Sequence, residues 1–301
     1  MSKIERIIMF EGGVETLDYF SRQMGQAFEA HGLLVFYFNL EDAASDVKKV
    51  KKFILSGKTA IVTFNFEGFE REEYIYDHVR GYIWQHFDIE IYNIAVDHPY
   101  FYDNRFEHLL EDDKILPGLI KKYHHLSIDR EHQKYMRTFY PQFDEAGFLP
   151  LAGTRLDGKS ADTVICDKIA KETKAKDKSR DIIFTGNYTD LAFFDQYIYG
   201  INDEYAQFYM GMIDDLIANP DKTIENVIIS HCNEEMGPQR LSDLRVPIHK
   251  TIFVDMFVRS YFRGKMIQTL ANAGFEIAVV GAGWETLPLK KPNRFKIGRA
   301  H

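Results

Sequence analysis

IERIIMFEGG, residues 4–13, is the stretch that predicts the fold class. Its segment Ile7–Phe10 is entirely apolar, which is typical of a strand buried on both faces of a parallel sheet. Gly12–Gly13 comes next as a tight loop, and the residues after it have the apolar spacing of a helix that ends at Gly32. This order of strand, glycine loop and helix indicates an α/β protein.

The same alternation of strands and helices is predicted along the first half of the chain. Asp129 is in position to cap a helix, and Pro141 ends it. The segment Glu72–His86 is also predicted to be helical. Further strands are predicted at Leu33–Phe38, Ala60–Phe66, Ile89–Val96 and His124–Ile128.

The pattern begins again at RDIIFTGNY, residues 180–188. The preceding residues 157–180 are mostly charged and polar, as expected of a surface segment or linker. Beyond the new strand, only Phe275–Val280 reads as a second one, and two parallel strands make a poor core. We therefore predict two Rossmann-like domains in a GT-B-like arrangement, residues 1–178 and 179–301, of which the second is incomplete.

Helices are expected between those two strands, at residues 190–219, 222–232 and 239–273. The chain stops at FKIGRAH without a helix to cover the last strand, so we expect a fragment of a longer protein. The alternative is an unusual, mostly helical C-terminal cap. One face of the last helix is expected to be apolar, and it carries Val254, Val258, Phe262, Met266, Leu270 and Ala273.

Composition narrows the class of protein. The chain has 301 residues, 45% of them hydrophobic, and a net charge of −8, which argues against nucleic acid as a partner. Cys166 and Cys232 lack metal-ligand spacing, so we expect no metal site and a reducing compartment. No apolar run approaches the ~20 residues of a membrane span. We expect a cytoplasmic protein.

Ligands of parallel α/β sheets bind beyond the carboxyl ends of the strands. Three predicted places lie there: Gly12–Gly13, Asp97–His98–Pro99, and the two loops that follow the strands of the second domain. Gly12–Gly13 allows close backbone approach, and the helix after it favours an anion. It is equally well explained as a simple turn. Gly186–Asn187–Tyr188 follows the first strand of the second domain, and Gly281–Ala282–Gly283–Trp284 follows the next. Neither a dinucleotide fingerprint nor a P-loop lysine pattern is present.

Asp97 and His98, at the end of a predicted strand, are the candidate acid–base pair. A histidine there can act as a general base, although adjacent strand residues point to opposite faces. A turn in which Asp97 caps and Pro99 ends the strand explains them as well. Arg259 and Arg263 lie one helical turn apart and suit a phosphate, or are simply exposed helix charges.

These segments together resemble the CgeB-type (spore maturation) glycosyltransferase-like proteins of bacteria, with the N-terminal domain that precedes such transferases. The resemblance runs along nearly the whole chain in order and spacing. Its motifs are V-D-H-P, S-I-D-R-E-H-x-x-Y-M-R-x-x-Y-P, D-I-I-F-T-G-N-Y, V-D-M-F-V-R-S-Y-F-R-G-K-M-I-x-x-L-x-x-A-G and V-V-G-A-G-W-E.

The resemblance implies GT-B architecture and sugar transfer from a nucleotide-sugar, which is a substrate rather than a cofactor, to an unknown acceptor. It places the donor on the second domain, at the loops of Gly186 and Gly281, and the acceptor on the first. The glycine-rich and acidic segment that grips the donor in such proteins is absent here. His98 or Asp97 would be the base, and Arg259 or Arg263 would face phosphate.

Two other functions remain open at this stage. A degenerate transferase could bind a carbohydrate or a protein without catalysis. A nucleotide-binding oxidoreductase is disfavoured because the first strand lacks the dinucleotide glycine pattern.

Overall fold

The computed structural model of the protein describes residues 4–143, 147–150, 181–290 and 295–298. The chain divides into two compact units, Met1–Thr154 and Arg155–His301. The domain boundary expected from the sequence, between 178 and 179, lies outside the described residues. Each unit is considered by itself below.

The first unit is built on a parallel sheet of six strands, together with a small antiparallel hairpin. In chain order the strands are β1 (Arg6–Glu11), β2 (Leu34–Asn39), β3 (Thr59–Phe64), β4 (Tyr76–Asp77), β5 (Gly81–Tyr82), β6 (Ile89–Ala95), β7 (Tyr123–Ser127) and β8 (Gly147–Phe148), of which β4 and β5 form the hairpin. The helices are α1 (Glu15–Ala30), α2 (Ala43–Phe53), α3 (Asp103–Ile115), α4 (Leu119–Lys122) and α5 (Arg130–Phe139).

The strands of the large sheet lie in the order β2-β1-β3-β6-β7-β8. The chain therefore moves from β1 to one side and then returns to continue on the other. This is the doubly wound arrangement, and the α/β class and Rossmann-like sheet predicted from the sequence are confirmed. The carboxyl ends of β1 and β3 lie at the point where the direction reverses.

Strand β1 is buried on both faces, as its sequence predicts. Ile7 and Met9 pack in one cluster with Leu17 of α1. On the opposite face the Phe10 ring lies 5.8 Å from that of Trp84. The segment between β3 and β6 thus covers the face of β1 that α1 leaves open.

The prediction of a helix at Glu72–His86 is wrong. The segment contains the hairpin β4–β5 and a short 3₁₀ helix, Ile83–His86. Tyr82 and Trp84 are almost completely buried there, and Tyr74 has a left-handed φ of 71°. Burial of large aromatic rings under the sheet outweighs the helical spacing of the sequence.

In its described residues the second unit has three strands, one more than predicted. They are β9 (Ile182–Thr185), β10 (Ile277–Val280) and β11 (Phe295–Gly298), all parallel in the order β11-β10-β9. The strand that was not predicted, β11, reads FKIG, and its Lys296 interrupts the apolar run, whereas β9 and β10 are almost entirely apolar. The helices of this unit, apart from 3₁₀ turns, are Asp195–Ile198, Asp203–Ala218, Ile224–Met236, Leu241–Lys250 and Ile252–Ala273.

The apolar face of the helix Ile252–Ala273 is only partly the one expected. Val254 and Val258 are buried, but Met266 is 43% exposed. Steps of four residues turn about 40° too far each time, so a stripe spaced only by fours leaves the buried face. The residues buried on this helix are Val254, Val258, Ser260, Gly264, Ile267 and Ala271.

Candidate functional site

The carboxyl ends of β1 and β3 form the edge at which ligands of doubly wound sheets bind. We call it the switch-point edge and define it as Gly12–Val14, after β1, and Asn65–Gly68, after β3. Sequence analysis predicted the first of these loops as a site and overlooked the second.

The loop after β3 is strained and held in place. Asn65 and Phe66 have left-handed φ angles of 48° and 69°, which cost about 1 kcal/mol or more for residues other than glycine. The side-chain oxygen of Asn93 accepts from Phe66 N at 2.9 Å, and that of Asn65 accepts from Val96 N at 2.9 Å. These bonds fix the backbone that presents Glu67.

Glu67 is a buried carboxyl at the start of α1. Its side chain is 7% exposed, and its Oε1 accepts from Val14 N at 3.1 Å. Its Oε2 is buried and has no hydrogen-bond partner among the described residues. A Cβ on Gly13 would lie 2.3 Å from Oε1, so a side chain at this position would force the carboxyl to shift.

The surroundings of Glu67 disfavour its negative charge. Burial raises the pKa of Glu67 to about 7, and the nearby carboxylates of Asp18, Glu70 and Glu72 act in the same direction. The bond from Val14 N opposes the rise. Burial also raises the pKa of Glu72 to about 6.

The Gly12–Gly13 loop was predicted to favour an anion. In the structure two of its donors already bind carboxylates: Gly12 N donates to both oxygens of Asp18, at 3.0 and 3.1 Å, and Val14 N donates to Glu67. This edge is therefore rich in negative charge and suits a hydroxyl group better than a phosphate.

Asp97 lies after β6 and is hydrogen-bonded to its neighbours. Its Oδ2 accepts from Tyr102 OH at 3.1 Å and from Asn65 Nδ2 at 3.3 Å. Burial, and then the Asp97 charge, raise the pKa of Tyr102 well above its usual value. Asp97 thus ties the loop after β6 to the switch-point edge.

His98 is buried among aromatic rings. Its Nδ1 accepts from Tyr100 N at 3.2 Å, and its ring lies 4.1 Å from that of Tyr100 and 4.8 Å from that of Tyr135. A neutral ring that accepts at Nδ1 carries its proton on Nε2. In this tautomer Nε2 is a donor, so His98 would act as a base only after the tautomer changes.

A buried histidine, His125, lies on β7. Burial, and then His132, lower the pKa of His125 to about 3, so the ring is neutral at physiological pH. Its Nε2 has no hydrogen-bond partner among the described residues.

Within those same residues no group of three or more His, Cys, Asp and Glu could hold a metal ion.

In the second unit, the two predicted donor loops are joined to each other. Tyr188 N donates to Ala282 O at 2.9 Å, and Ala282 N donates to Asn187 Oδ1 at 2.9 Å. Trp284 Nε1 donates to Gly186 O at 2.7 Å. The loops after β9 and β10 therefore form one rigid surface at the carboxyl ends of the strands.

Glycines make this close approach of the two loops sterically allowed. A Cβ on Gly281 would lie 2.3 Å from Gly186 O, and one on Gly283 would lie 1.9 Å from Tyr188 O. Tyr188 and Trp284 stack at 5.4 Å between ring centroids and are buried. These two aromatics support the loops from beneath and do not present a surface to a ligand.

The two predicted arginines differ in their partners. Arg263 Nη1 donates to Asn187 O and so lies at the joined loops. Arg259 forms an ion pair with Asp255, one turn earlier on the same helix, at 2.8 Å. Of the two, Arg263 is the one bonded to the joined loops.

Sequence analysis missed Glu67, although a usable signal existed. Glu67 directly follows the predicted strand Ala60–Phe66, as Asp97 directly follows another. A small pocket of the first unit lies elsewhere, at the beginning of β6, and is lined by Phe87, Ile89 and Pro117 among others.

None of the described helices is long and apolar enough to cross a membrane. Comparisons with models of protein families, with curated proteins and with solved structures found no match to this chain. A functional assignment therefore rests on the residues and the geometry of the two loop regions.

Proposed function

We propose that this protein is a glycosyltransferase-like enzyme of the CgeB type. Its second unit binds a nucleotide-sugar, and its first unit binds the acceptor. The observation that carries the proposal is the joined pair of loops after β9 and β10, because two glycine loops held at the carboxyl ends of adjacent parallel strands form a preorganised ligand surface.

Arg263 supports a diphosphate at these loops. Its guanidinium is fixed by one bond to Asn187 O, and arginine binds phosphate oxygens through several parallel donors. The glycines leave the backbone accessible to a ligand at close range. Arg263 would therefore stabilise the charge that builds up on the departing nucleoside diphosphate.

The first unit supports an acceptor with hydroxyl groups. Its switch-point edge carries carboxyl groups, two of which already bind Gly12 N and Val14 N, so it disfavours a second phosphate. Asp97 and His98 remain candidates for the base in this proposal. The transfer needs a base on the acceptor side and charge stabilisation on the donor side.

Thermal unfolding with UDP, GDP and their glucose conjugates tests the donor site. A ligand that binds only the native state raises Tm by mass action. We expect at least one nucleotide to raise Tm in the unsubstituted chain and to lose this effect in Arg263→Ala. Arg240→Ala is the matched control, because Arg240 is an exposed arginine at the N-cap of the helix Leu241–Lys250, where it pairs with Asp243.

The donor site is rejected if Arg263→Ala and Arg240→Ala respond equally, or if no nucleotide raises Tm.

A second candidate function is a degenerate transferase that binds a carbohydrate without turnover. It is favoured by the hydrogen bonds that already engage Asp97 and Nδ1 of His98. Release of nucleoside diphosphate in the presence of acceptor separates the two functions.

A further inference from the structure

The buried oxygen Glu67 Oε2 lacks a partner in either protonation state of the carboxyl. Ionised, it has no donor among the described residues. Protonated, its O–H has no acceptor among them. Buried polar atoms are normally hydrogen-bonded, so such an atom indicates a missing ligand or water. A hydroxyl group both donates and accepts, and it therefore satisfies Glu67 in both states.

We propose that Glu67 and the Gly12–Gly13 turn bind a hydroxyl group of the acceptor, and that Glu67 Oε2 receives its proton during transfer. This inference rests on the proposed function. It goes beyond it by assigning the base to a residue that neither the motifs nor the resemblance indicated.

Glu67 lies beside the exposed backbone of Gly13. A Cβ on Gly13 would lie 2.3 Å from Glu67 Oε1, so a side chain there would displace the carboxyl. The glycine thus leaves Glu67 in the position where Val14 N holds its Oε1.

The chemistry of Glu67 suits a base better than that of its competitors. Asp97 accepts two bonds on Oδ2, from Asn65 and Tyr102, and is exposed to solvent, and His98 needs a change of tautomer. Glu67 accepts a single bond, on Oε1, and is buried. Asp18 on α1 and Glu70 and Glu72 on the loop face it with negative charge, which strengthens its affinity for a proton.

In the transfer step, the acceptor O–H bond breaks and its proton moves to Glu67 Oε2. The acceptor oxygen forms a bond to the anomeric carbon of the donor sugar. The bond from that carbon to the phosphate oxygen breaks, and the nucleoside diphosphate leaves with the electron pair. The step is a substitution without net oxidation or reduction.

The first test is binding of sugars to the full chain. The probes are methyl glycosides of glucose, galactose, mannose and N-acetylglucosamine, used without nucleotide. We expect at least one to bind the unsubstituted chain, and to bind Glu67→Gln about 10- to 100-fold more weakly, because a hydrogen bond to a charged group is lost. Glu131→Gln is the control, since Glu131 is exposed on α5 and pairs with Lys134.

A second measurement does not depend on a substituted chain remaining folded. In the unsubstituted protein with ¹³C-labelled glutamate, the carboxyl signal that titrates near pH 7 should shift when the bound glycoside is added. Gly13→Ala should abolish that shift. The inference is overturned if no glycoside binds, if Glu67→Gln binds as well as Glu131→Gln, or if the carboxyl signal does not respond.

A transfer assay distinguishes a failure of this inference from a failure of the proposed function. With a donor and an acceptor that support turnover, Glu67→Gln should lower kcat by about 10²- to 10⁴-fold while nucleotide binding is retained. Undiminished turnover in Glu67→Gln would exclude Glu67 as the base and leave the transferase intact. Absence of nucleotide binding would instead reject the donor site.

Discussion

The raised pKa of Glu67 makes the stability of the first unit depend on pH. The carboxyl has a pKa of about 7 in the folded protein, against 4.5 for an ordinary glutamate. The folded state therefore holds the proton more tightly than the unfolded state does. This contribution to stability is fully present below about pH 4.5 and is lost as the pH rises through about 7.

Glu67→Gln removes the ionisable group and keeps its shape. We expect the variant to gain about 1–3 kcal/mol in free energy of unfolding, relative to the unsubstituted protein, between about pH 5 and about pH 8. Urea denaturation at several pH values measures the difference. Glu131→Gln, an exposed substitution in the same unit, serves as the control. A difference that does not change with pH would contradict the prediction.

At Gly281, the cost of a side chain is steric as well as conformational. Gly281→Ala would place a Cβ 2.3 Å from Gly186 O, at a φ of 147°. Gly237 also has a positive φ, 77°, but no atom lies within 4 Å of its Cβ position. We expect Gly281→Ala to destabilise the second unit by about 3 kcal/mol and Gly237→Ala by about 1 kcal/mol.

Thermal denaturation followed by circular dichroism compares these two glycine variants. The order of their Tm values is the deciding result. If Gly237→Ala lowers Tm as much as Gly281→Ala, the two loops are not packed as closely as described, and the rigid donor surface loses its support.

Among the elements, the hairpin β4–β5 depends on a buried charge pair with α3. Asp112 is fully buried, and its Oδ1 accepts from Arg71 at 2.9 Å and from Tyr76 OH at 2.7 Å. Burial and the Asp112 carboxylate raise the pKa of Tyr76 to about 12. Arg71 also pairs with Glu111, which is exposed.

Loss of the Asp112 charge leaves Arg71 with only its exposed partner. We expect Asp112→Asn to destabilise the first unit by about 2–4 kcal/mol, whereas Glu111→Gln should cost less than about 1 kcal/mol. Urea denaturation of both variants checks this difference. Equal effects would show that the interior ion pair does not hold the hairpin.

Local patterns predicted the main strands and α1, because these elements repeat one apolar period over many residues. The segment Glu72–His86 could not be predicted in this way, since its conformation is set by packing against Phe10 on a strand distant in sequence. The loop that presents Glu67 could not be predicted from the sequence for a similar reason. The left-handed backbone of Asn65 and Phe66 depends on Asn93, which belongs to the next strand of the sheet.

The sequence predicted where the candidate site lies, but not which of its groups are free to react. Strand ends identified Gly186, Gly281, Asp97 and Gly12 from the sequence alone. Neighbouring residues from other helices and strands decide which of these groups are hydrogen-bonded and which are not. Burial of Glu67 and the ring contacts of His98 therefore became visible only in the folded structure.

For the whole molecule, the proposal assigns nucleotide binding to the second unit. It assigns the acceptor, and the base that takes its proton, to the first unit. Each unit has its own apolar core, one around Ile7 and Met9 and the other around Ile277 and Val279. A substitution in the first unit should leave the donor site folded. We therefore expect His98→Ala and Glu67→Gln to bind nucleotide normally, and Arg263→Ala to lose both binding and transfer.

Isothermal titration with nucleotide, together with a transfer assay, measures the two properties for each variant. Replacement of His98 also removes a ring that packs on Tyr100 and Tyr135, so its folding is checked by circular dichroism first. Normal turnover in folded His98→Ala would exclude that residue from the chemistry. Loss of nucleotide binding in Glu67→Gln would contradict the separation of roles.

The two tryptophans of the chain fall one in each unit, and both are only 1% exposed. Trp84 Nε1 donates to the carbonyl of Gly68, the residue after Glu67, while Trp284 donates to Gly186 in the joined loops. Intrinsic fluorescence therefore contains two site-specific optical reporters without any added dye. Replacing either indole with phenylalanine would leave an emission band that follows occupancy of a single loop region.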